Sequence, residues 1–552
     1  MPSTPLLPLR FPPSFLILLG SLACATAHPP APKQQPGGAR ASAATASSAA
    51  SASGADWASY NGSLEGTRYS SLSQVTPATA ANLERACTFD TGEQMSMQSG
   101  PVVVGGTLYV TTDTSTYAID AATCRRIWHT ARPYSELTFL KNNHGVAQLD
   151  GRLFRVNGAV HAYALDASTG RVIWDVSFRQ REGEGAPMAP LAWSGLVFVG
   201  NGGGDNLGVQ GHVHALDAAT GREVWRFDVV PDTGAARASW PSGPDSLPPT
   251  GGGMWSSFTL DPAAGVLYVP AGNPAPDFMP RLRDGANLYS NSLIALDART
   301  GRFLDHVQII DGRKDWHDWD VSATPALIRT RGGRRLLALA GKDGQLHGID
   351  ASPMRIRWSV PTTTRENIEA PLTHLRATRF CPGTQGGTEW NGPAWDPERN
   401  LVFTGAVDWC THIRLVHPDS IPRPLPMAFT GHAPGGFGDF DPKEQWKGWI
   451  TATDPDAGAV RWKYQARTPI LAGVTATAGG VVLTGDMDGR LIVLDAQTGR
   501  VAREIETGAP IGGGVITYEA GGRQYIAVAG GSISPIWPLP AATSRVTVFR
   551  LR

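Results

Sequence analysis

The sequence predicts an all-β fold: an eight-bladed β-propeller of tryptophan-docking repeats, with its ring closed by N- and C-terminal strands. Three observations predict it. A segment of the type ALDASTGRVIW recurs along the chain, each copy follows a short β-rich run such as GLVFVGN, and RVTVFRLR at 545–552 reads as one more strand.

Copies of the repeat begin at Ala118, Ala164, Ala215, Ala295, Gly348, Ala452 and Val493. Each reads as a strand, a tight turn carrying Asp and Thr-Gly, then a strand with Trp. Asp and Thr side chains satisfy the turn backbone, Gly takes the conformation that other residues resist, and Trp is left to pack on a neighbouring sheet. A four-stranded sheet cannot bury both faces alone, so such units stack radially. Seven copies carry an Asp, at 120, 166, 217, 297, 350, 454 and 495. The long interval between Asp350 and Asp454 predicts an eighth unit built on PAWDPERNLVFTG, 393–405. The last strand is expected to pair near DWASYNG, 56–62, removing the exposed sheet edges.

Ahead of the repeats, Arg10 precedes the apolar run Ser14–Leu22, and Ala25-Thr26-Ala27 offers a small-residue cleavage site. Residues 1–27 are therefore expected to be a signal peptide, and a lipid on Cys24 is the alternative. Residues 28–54 are almost all Ala, Ser, Pro, Gly and Gln and read as a flexible tether, with the propeller at 55–552. No later segment is apolar for long enough to span a bilayer. Basic and acidic residues balance at 48 each with no basic tract, so nucleic acid is a poor partner. The expected destination is the periplasm. There an even count of Cys87, Cys124, Cys381 and Cys410 without CxxC spacing predicts disulfides between sequence neighbours, Cys87–Cys124 and Cys381–Cys410. Free buried thiols are the alternative.

One stretch breaks the low charge density. In DGRKDWHDWDVSATP, 311–325, Asp315, His317, Asp318 and Asp320 crowd among tryptophans. Acids held against bulky aromatics cost desolvation unless a cation or a transferable proton sits nearby.

Three motifs at their relative spacings, GGGMW (251–255), GNPAPDF (272–278) and Trp319-Asp320, resemble the pyrroloquinoline quinone (PQQ)-dependent alcohol dehydrogenases. So do DWASYNGSLEGTRYSSL at 56–72 and DGRLIVLDAQTG at 488–499, so the resemblance spans roughly residues 55–552. It implies an exported dehydrogenase that oxidises an alcohol with PQQ and Ca²⁺. It assigns Trp255 to the floor under the flat cofactor, Asn273 to calcium, Asp320 to the catalytic base and calcium shell, and Lys342 to the quinone oxygens. Asp318 and His317 would shape the pocket or support Asp320.

The chain departs from the family at several of these positions. Asp205 stands for the family's calcium-binding glutamate, Gln98 for a pocket glutamate, and His144 for an arginine that pairs with a cofactor carboxylate. Thr138 and Phe139 replace its adjacent cysteines. Ser322 occupies the place of the extra aspartate in the lanthanide-using branch, which argues for calcium. A propeller that has lost its cofactor, or a non-catalytic assembly scaffold, are the competing readings. No CxxCH is present, so electrons are expected to pass to a separate carrier, a soluble cytochrome c.

Overall fold

Strands alternate with short turns through nearly all of the chain that the computed structural model describes, residues 56–136, 141–244, 246–321 and 323–552. These lie within the unit Ala50–Arg552. The leader, the tether, Cys24, Thr138, Phe139 and Ser322 lie outside the described residues. Six sheets are built from four strands in chain order or its reverse. The first of them runs Val102–Val104, Thr107–Thr111, Ser115–Asp120 and Arg126–Ala131. Successors occupy 147–177, 191–228, 259–308 and 326–361, then 394–408 joined to 447–466. A seventh, 475–506, gains Tyr69–Ser70 as a parallel edge strand. The eighth is mixed in origin: Val515–Ala520, Arg523–Gly530 and Arg545–Leu551 are completed by Leu83–Asp90. A three-stranded sheet of Thr378–Phe380, Thr411–Ile413 and Asp439–Phe440 sits in the excursions around the sixth.

Two expectations about this architecture need correction. PAWDPERNLVFTG is not a separate unit, because its strands pair with Lys447–Asp454 and so belong to the sheet whose turn carries Asp454. The eighth sheet instead has no Asp-Thr-Gly turn. The C-terminal strand pairs with Leu83–Asp90 rather than with 56–62, while Trp57 exchanges two backbone hydrogen bonds with Val103 in the first sheet.

Five of the repeats dock on their neighbours in the same way. Asp217 Oδ1 accepts from the Ala219 and Thr220 N–H groups and from the Thr220 hydroxyl, which closes the turn. The indole N–H groups of Trp128, Trp174, Trp225 and Trp462 donate to the carbonyls of Ala167, Ala218, Ala298 and Ala496, one sheet further on. Trp358 reaches Pro455 likewise. The glycine of the receiving turn lies flat under the ring: a Cβ on Gly301, at φ +70°, would come within 2.6 Å of Trp225.

Buried apolar residues run from sheet to sheet. Phe403, Ile450 and Ala476 join the sixth to the seventh, and Leu483, Val493 and Val528 the seventh to the eighth. Ile516, Ala527 and Val546 of the eighth pack on Val103, Leu108 and Ile119 of the first. Both expected disulfides are present, and Cys87–Cys124 staples strand 83–90 of the eighth sheet to a turn of the first.

Gly301→Ala should destabilise more than Gly92→Ala, which shares a positive φ of +75° but has open space around its Cβ. The control reports backbone strain of about 1 kcal/mol, and Gly301→Ala adds overpacking of about 1–3 kcal/mol. Equal losses in urea unfolding would show that the indole contact is slack.

Candidate active site

Close backbone approach creates the site. Gly252 N–H donates to the Asn273 carbonyl at 3.1 Å and Gly272 N–H to the Gly253 carbonyl at 2.9 Å, drawing the loops at 251–255 and 271–278 together. A Cβ on Gly272 would lie 2.5 Å from Asp320 Oδ1, so only glycine lets the third loop, 315–321, press against the second.

Asp320 is held on both oxygens. Its Oδ1 accepts the Asn273 backbone N–H at 3.0 Å and its Oδ2 accepts Lys342 Nζ at 3.1 Å. The Lys342 N–H also donates to the Asp320 carbonyl at 3.2 Å, fixing lysine and acid together. The same ammonium reaches Asp318 Oδ2 at 3.2 Å. Asp318 takes a left-handed backbone conformation, φ +59°, a strained choice for a buried aspartate that aims its carboxylate at the cluster. The Asn273 side-chain amide donates to Asp277 Oδ1 at 2.9 Å and to Asp318 Oδ1 at 3.2 Å. Asp205 completes the group: Asp205, Asp277 and Asp318 each present an oxygen, all within 4.8 Å of one another.

The electrostatics follow from crowding. Burial and then the Asp320 charge push the Asp205 carboxyl up to about 6, against the pull of Lys342. Burial likewise raises Asp277 and Asp318 well above the usual carboxylate range, and their acidic neighbours add to it. Burial pulls the Lys342 ammonium down, but Asp318, Asp320 and Glu389 outweigh it and hold it well above its ordinary value. One lysine therefore faces a surplus of acid.

Beside this cluster lies an aromatic wall. Trp255 is half-buried and packs against an apolar group that includes Trp390, Trp409, Trp537 and Ile533. The His144 ring stacks on Trp390 with centroids 5.7 Å apart. Gln98 Oε1 accepts from His144 Nε2 at 2.9 Å and from the Asn142 amide at 2.6 Å, while its Nε2 donates to the Ile533 carbonyl at 3.1 Å. Burial pushes His144 down to about 3, opposed by backbone groups of Trp255 and Ser256. It is thus a neutral donor at neutral pH, whereas the arginine in whose place it stands would carry a charge. Lys141, three residues before His144, is exposed. His317 stacks on Trp319 at 4.0 Å and burial holds it neutral, near 3, so it stiffens the loop that presents Asp318 and Asp320.

The structure thus brings Asn273, Asp320, Lys342 and Asp205 into one cluster and Gln98 and His144 into a second, with Trp255 two residues from the glycine that joins the loops. Sequence reasoning did not single out Asp277, Glu389, Asn142 or Trp390. Asp277 stands four residues after Asn273 in GNPAPD, a spacing that offered a signal; Glu389 in TEWNGP offered none.

The residues fit both groups that the resemblance implies. Asp277 is fully buried with Oδ2 lacking a hydrogen-bond partner, in a set of hard oxygen donors suited to a hard cation. The half-buried Trp255 indole packs in one group with Trp390, whose neighbour Glu389 has Oε1 unpartnered, and an aromatic surface with a free polar atom suits a flat polar ligand.

Comparison with known proteins agrees. Residues 57–353 match the glucose/ethanol/alcohol dehydrogenase β-propeller domain, and residues 446–544 match the outer membrane protein assembly factor BamB. The chain is 30% identical over 519 residues to the quinohemoprotein alcohol dehydrogenase of Comamonas testosteroni, covering 86% of this chain and 72% of that one. The crystal structure of that enzyme superposes with a TM-score of 0.78 at 26% identity, over 91% of this chain and 81% of that chain. A lanthanide-dependent methanol dehydrogenase of Methylacidiphilum fumariolicum (strain SolV) is 26% identical, covering 86% of this chain and 84% of that one.

Burial moves Glu389 from 4.5 up to about 7; Lys342 opposes this and Asp320 reinforces it. Between those values the folded chain holds a proton that the unfolded chain has lost, so stability falls as pH rises through the window. Glu389→Gln should flatten that fall by on the order of 1–3 kcal/mol, read as the difference in cofactor-free unfolding between pH 5 and pH 7.5. An unchanged difference would place the titration on another group.

Proposed function

The chain belongs to the PQQ-dependent quinoprotein alcohol dehydrogenase family, and from that premise we propose an exported, PQQ- and metal-dependent dehydrogenase acting on an alcohol or related hydroxyl compound. The enzyme class, an oxidoreductase of the quinoprotein alcohol dehydrogenase type, comes with membership. The observation that carries the finer reading is the placement of Asp320: a carboxylate fixed between an N–H group and an ammonium, at the edge of a buried acidic cluster.

When bound, PQQ supplies the hydride-accepting quinone carbon and the metal ion polarises the adjoining carbonyl. Asp320 takes the substrate hydroxyl proton on Oδ2, and the Asn273 N–H on Oδ1 keeps the acid turned toward that task. Lys342 steadies Asp320 and would supply positive charge to the quinone oxygens. Trp255 offers the flat floor. Gln98 and His144 line the wall as a neutral, mutually hydrogen-bonded pair, and Asn142 holds them in place. Asp205, Asn273 and Asp320 would hold the cation, calcium on the sequence reading.

We read the eight sheets of four or five strands as blades of one closed ring, supported by the packing of the eighth on the first. No helix among the described residues is long and apolar enough to cross a membrane. With the leader, this favours a periplasmic enzyme that passes its electrons to a soluble cytochrome c. The loops at 278–291 and 430–449 are the candidates for substrate selection.

Purified chain given PQQ and Ca²⁺ should gain the quinone absorbance and oxidise alcohols in a dye-linked assay. Asp320→Asn should keep the absorbance and lose turnover by about a hundredfold or more. Undiminished turnover would remove Asp320 as the base, and a folded chain that never takes up the quinone would remove the cofactor reading.

A further inference from the structure

The metal cradle differs from the one the sequence implies. Ser322 deprives the site of an acid two residues beyond Asp320, but the structure supplies acids from elsewhere: Asp318, two residues before it, and Asp277, from the loop that bears Asn273. Oxygens of Asp205, Asp277 and Asp318 lie within 4.8 Å of one another. That spacing matches ligands on one hard cation, for which oxygens bound at roughly 2.3–2.6 Å stand up to about 5 Å apart across the ion. A second observation points the same way. Asp277 is 0% exposed and its Oδ2 has no hydrogen-bond partner, although a buried carboxylate without a partner is costly. The Asn273 amide nitrogen lies between Asp277 and Asp318, a cationic-edge donor standing where a cation would bridge them. A half-turn of that amide puts Oδ1 in the same place as a fourth hard donor.

Charge decides which ion. Lys342 is already paired with Asp318 and Asp320, so it leaves Asp205 and Asp277 without a direct ammonium partner. Arg283 spends its donors on the carbonyls of Pro276, Asp277, Gly312 and Asp315 and on the Asn287 side chain. We propose that Asp277 and Asp318 join Asp205 and Asn273 as direct ligands, and that this three-carboxylate cradle selects a trivalent lanthanide ion over calcium. Each added hard anion favours the ion of higher charge when size and donor type are alike.

This inference rests on the metal-dependent reading above, so its test must fail separately from it. Terbium luminescence sensitised by tryptophan reports ion binding without turnover, and Ca²⁺ competition ranks the two ions. Wild-type protein should bind one Tb³⁺ that a hundredfold excess of Ca²⁺ fails to displace. Asp277→Asn and Asp318→Asn, each with an unchanged melting temperature, should weaken Tb³⁺ by at least about tenfold. Asp277→Asn serves as the second variant should Asp318→Asn fail to fold, since Asp318 also pairs with Lys342. Displacement of Tb³⁺ by equimolar Ca²⁺, or an Asp277→Asn variant with undiminished Tb³⁺ affinity, would overturn the proposal. In either case, uptake of PQQ with Ca²⁺ would leave the enzyme reading standing. A folded chain that takes up neither ion nor PQQ would overturn both.

Discussion

One contact sets the architecture: an indole laid across the glycine of the next sheet's turn, with its N–H on a carbonyl there. It recurs from Trp128 to Trp462 with the same donor and the same kind of acceptor. Because each indole reaches only the adjacent sheet, the angle between neighbours is fixed locally and repeated. The loops at one end of the sheets are then brought together without needing contacts of their own. Where they do touch, glycine permits it, and backbone hydrogen bonds at 252–253 and 272–273 lock the approach.

That convergence has an electrostatic cost. Asp318 and Asp320 share one lysine, with buried Asp277 and half-buried Asp205 beside them, an arrangement that hydrogen bonding alone does not satisfy, since an oxygen of Asp277 and one of Glu389 have no partner. A chain selected only for stability would replace such a cluster with apolar side chains. Its presence, together with the left-handed backbone at Asp318, marks it as a candidate functional site rather than a stabilising core.

Much of this was legible in the sequence because the repeat is local. Asp, Thr-Gly and Trp act within about a dozen residues, so the turns, their strands and the docking tryptophans could be read directly. The eighth sheet was not, since it lacks the Asp-Thr-Gly turn and draws its strands from residues 83–90 and 515–551, a pairing that no local pattern encodes. The extra strand pair assigned to 393–405 failed for a related reason: the excursion at 409–446 separates partners that belong to one sheet. At the site, Trp255, Asn273, Asp320 and Lys342 stood out through motif and spacing. Asp277 and Glu389 did not, because their significance lies in missing partners, which only packing reveals. Ser322 lacks the extra acid, but the carboxylates of Asp277 and Asp318 reach the space beside Asp205 from other stretches of chain, which spacing around Ser322 does not reveal.

The departures at the pocket wall and at the metal cradle bear on one another. The resemblance places an arginine and a glutamate where this chain has His144 and Gln98, and burial keeps the histidine neutral. An oppositely charged pair has become a neutral one, so the wall keeps its hydrogen bonds while losing a cation that faced a cofactor carboxylate. The cradle meanwhile holds the carboxylates of Asp205, Asp277 and Asp318. A negatively charged ligand would thus meet less positive charge at the wall and more negative charge at the cradle, and Lys342, shared between two aspartates, cannot offset both. An ion of higher charge at the centre of the cradle offsets both at once. On this proposal the neutral wall and the acidic cradle act together, the metal ion supplying the positive charge that neutral His144 and Gln98 do not.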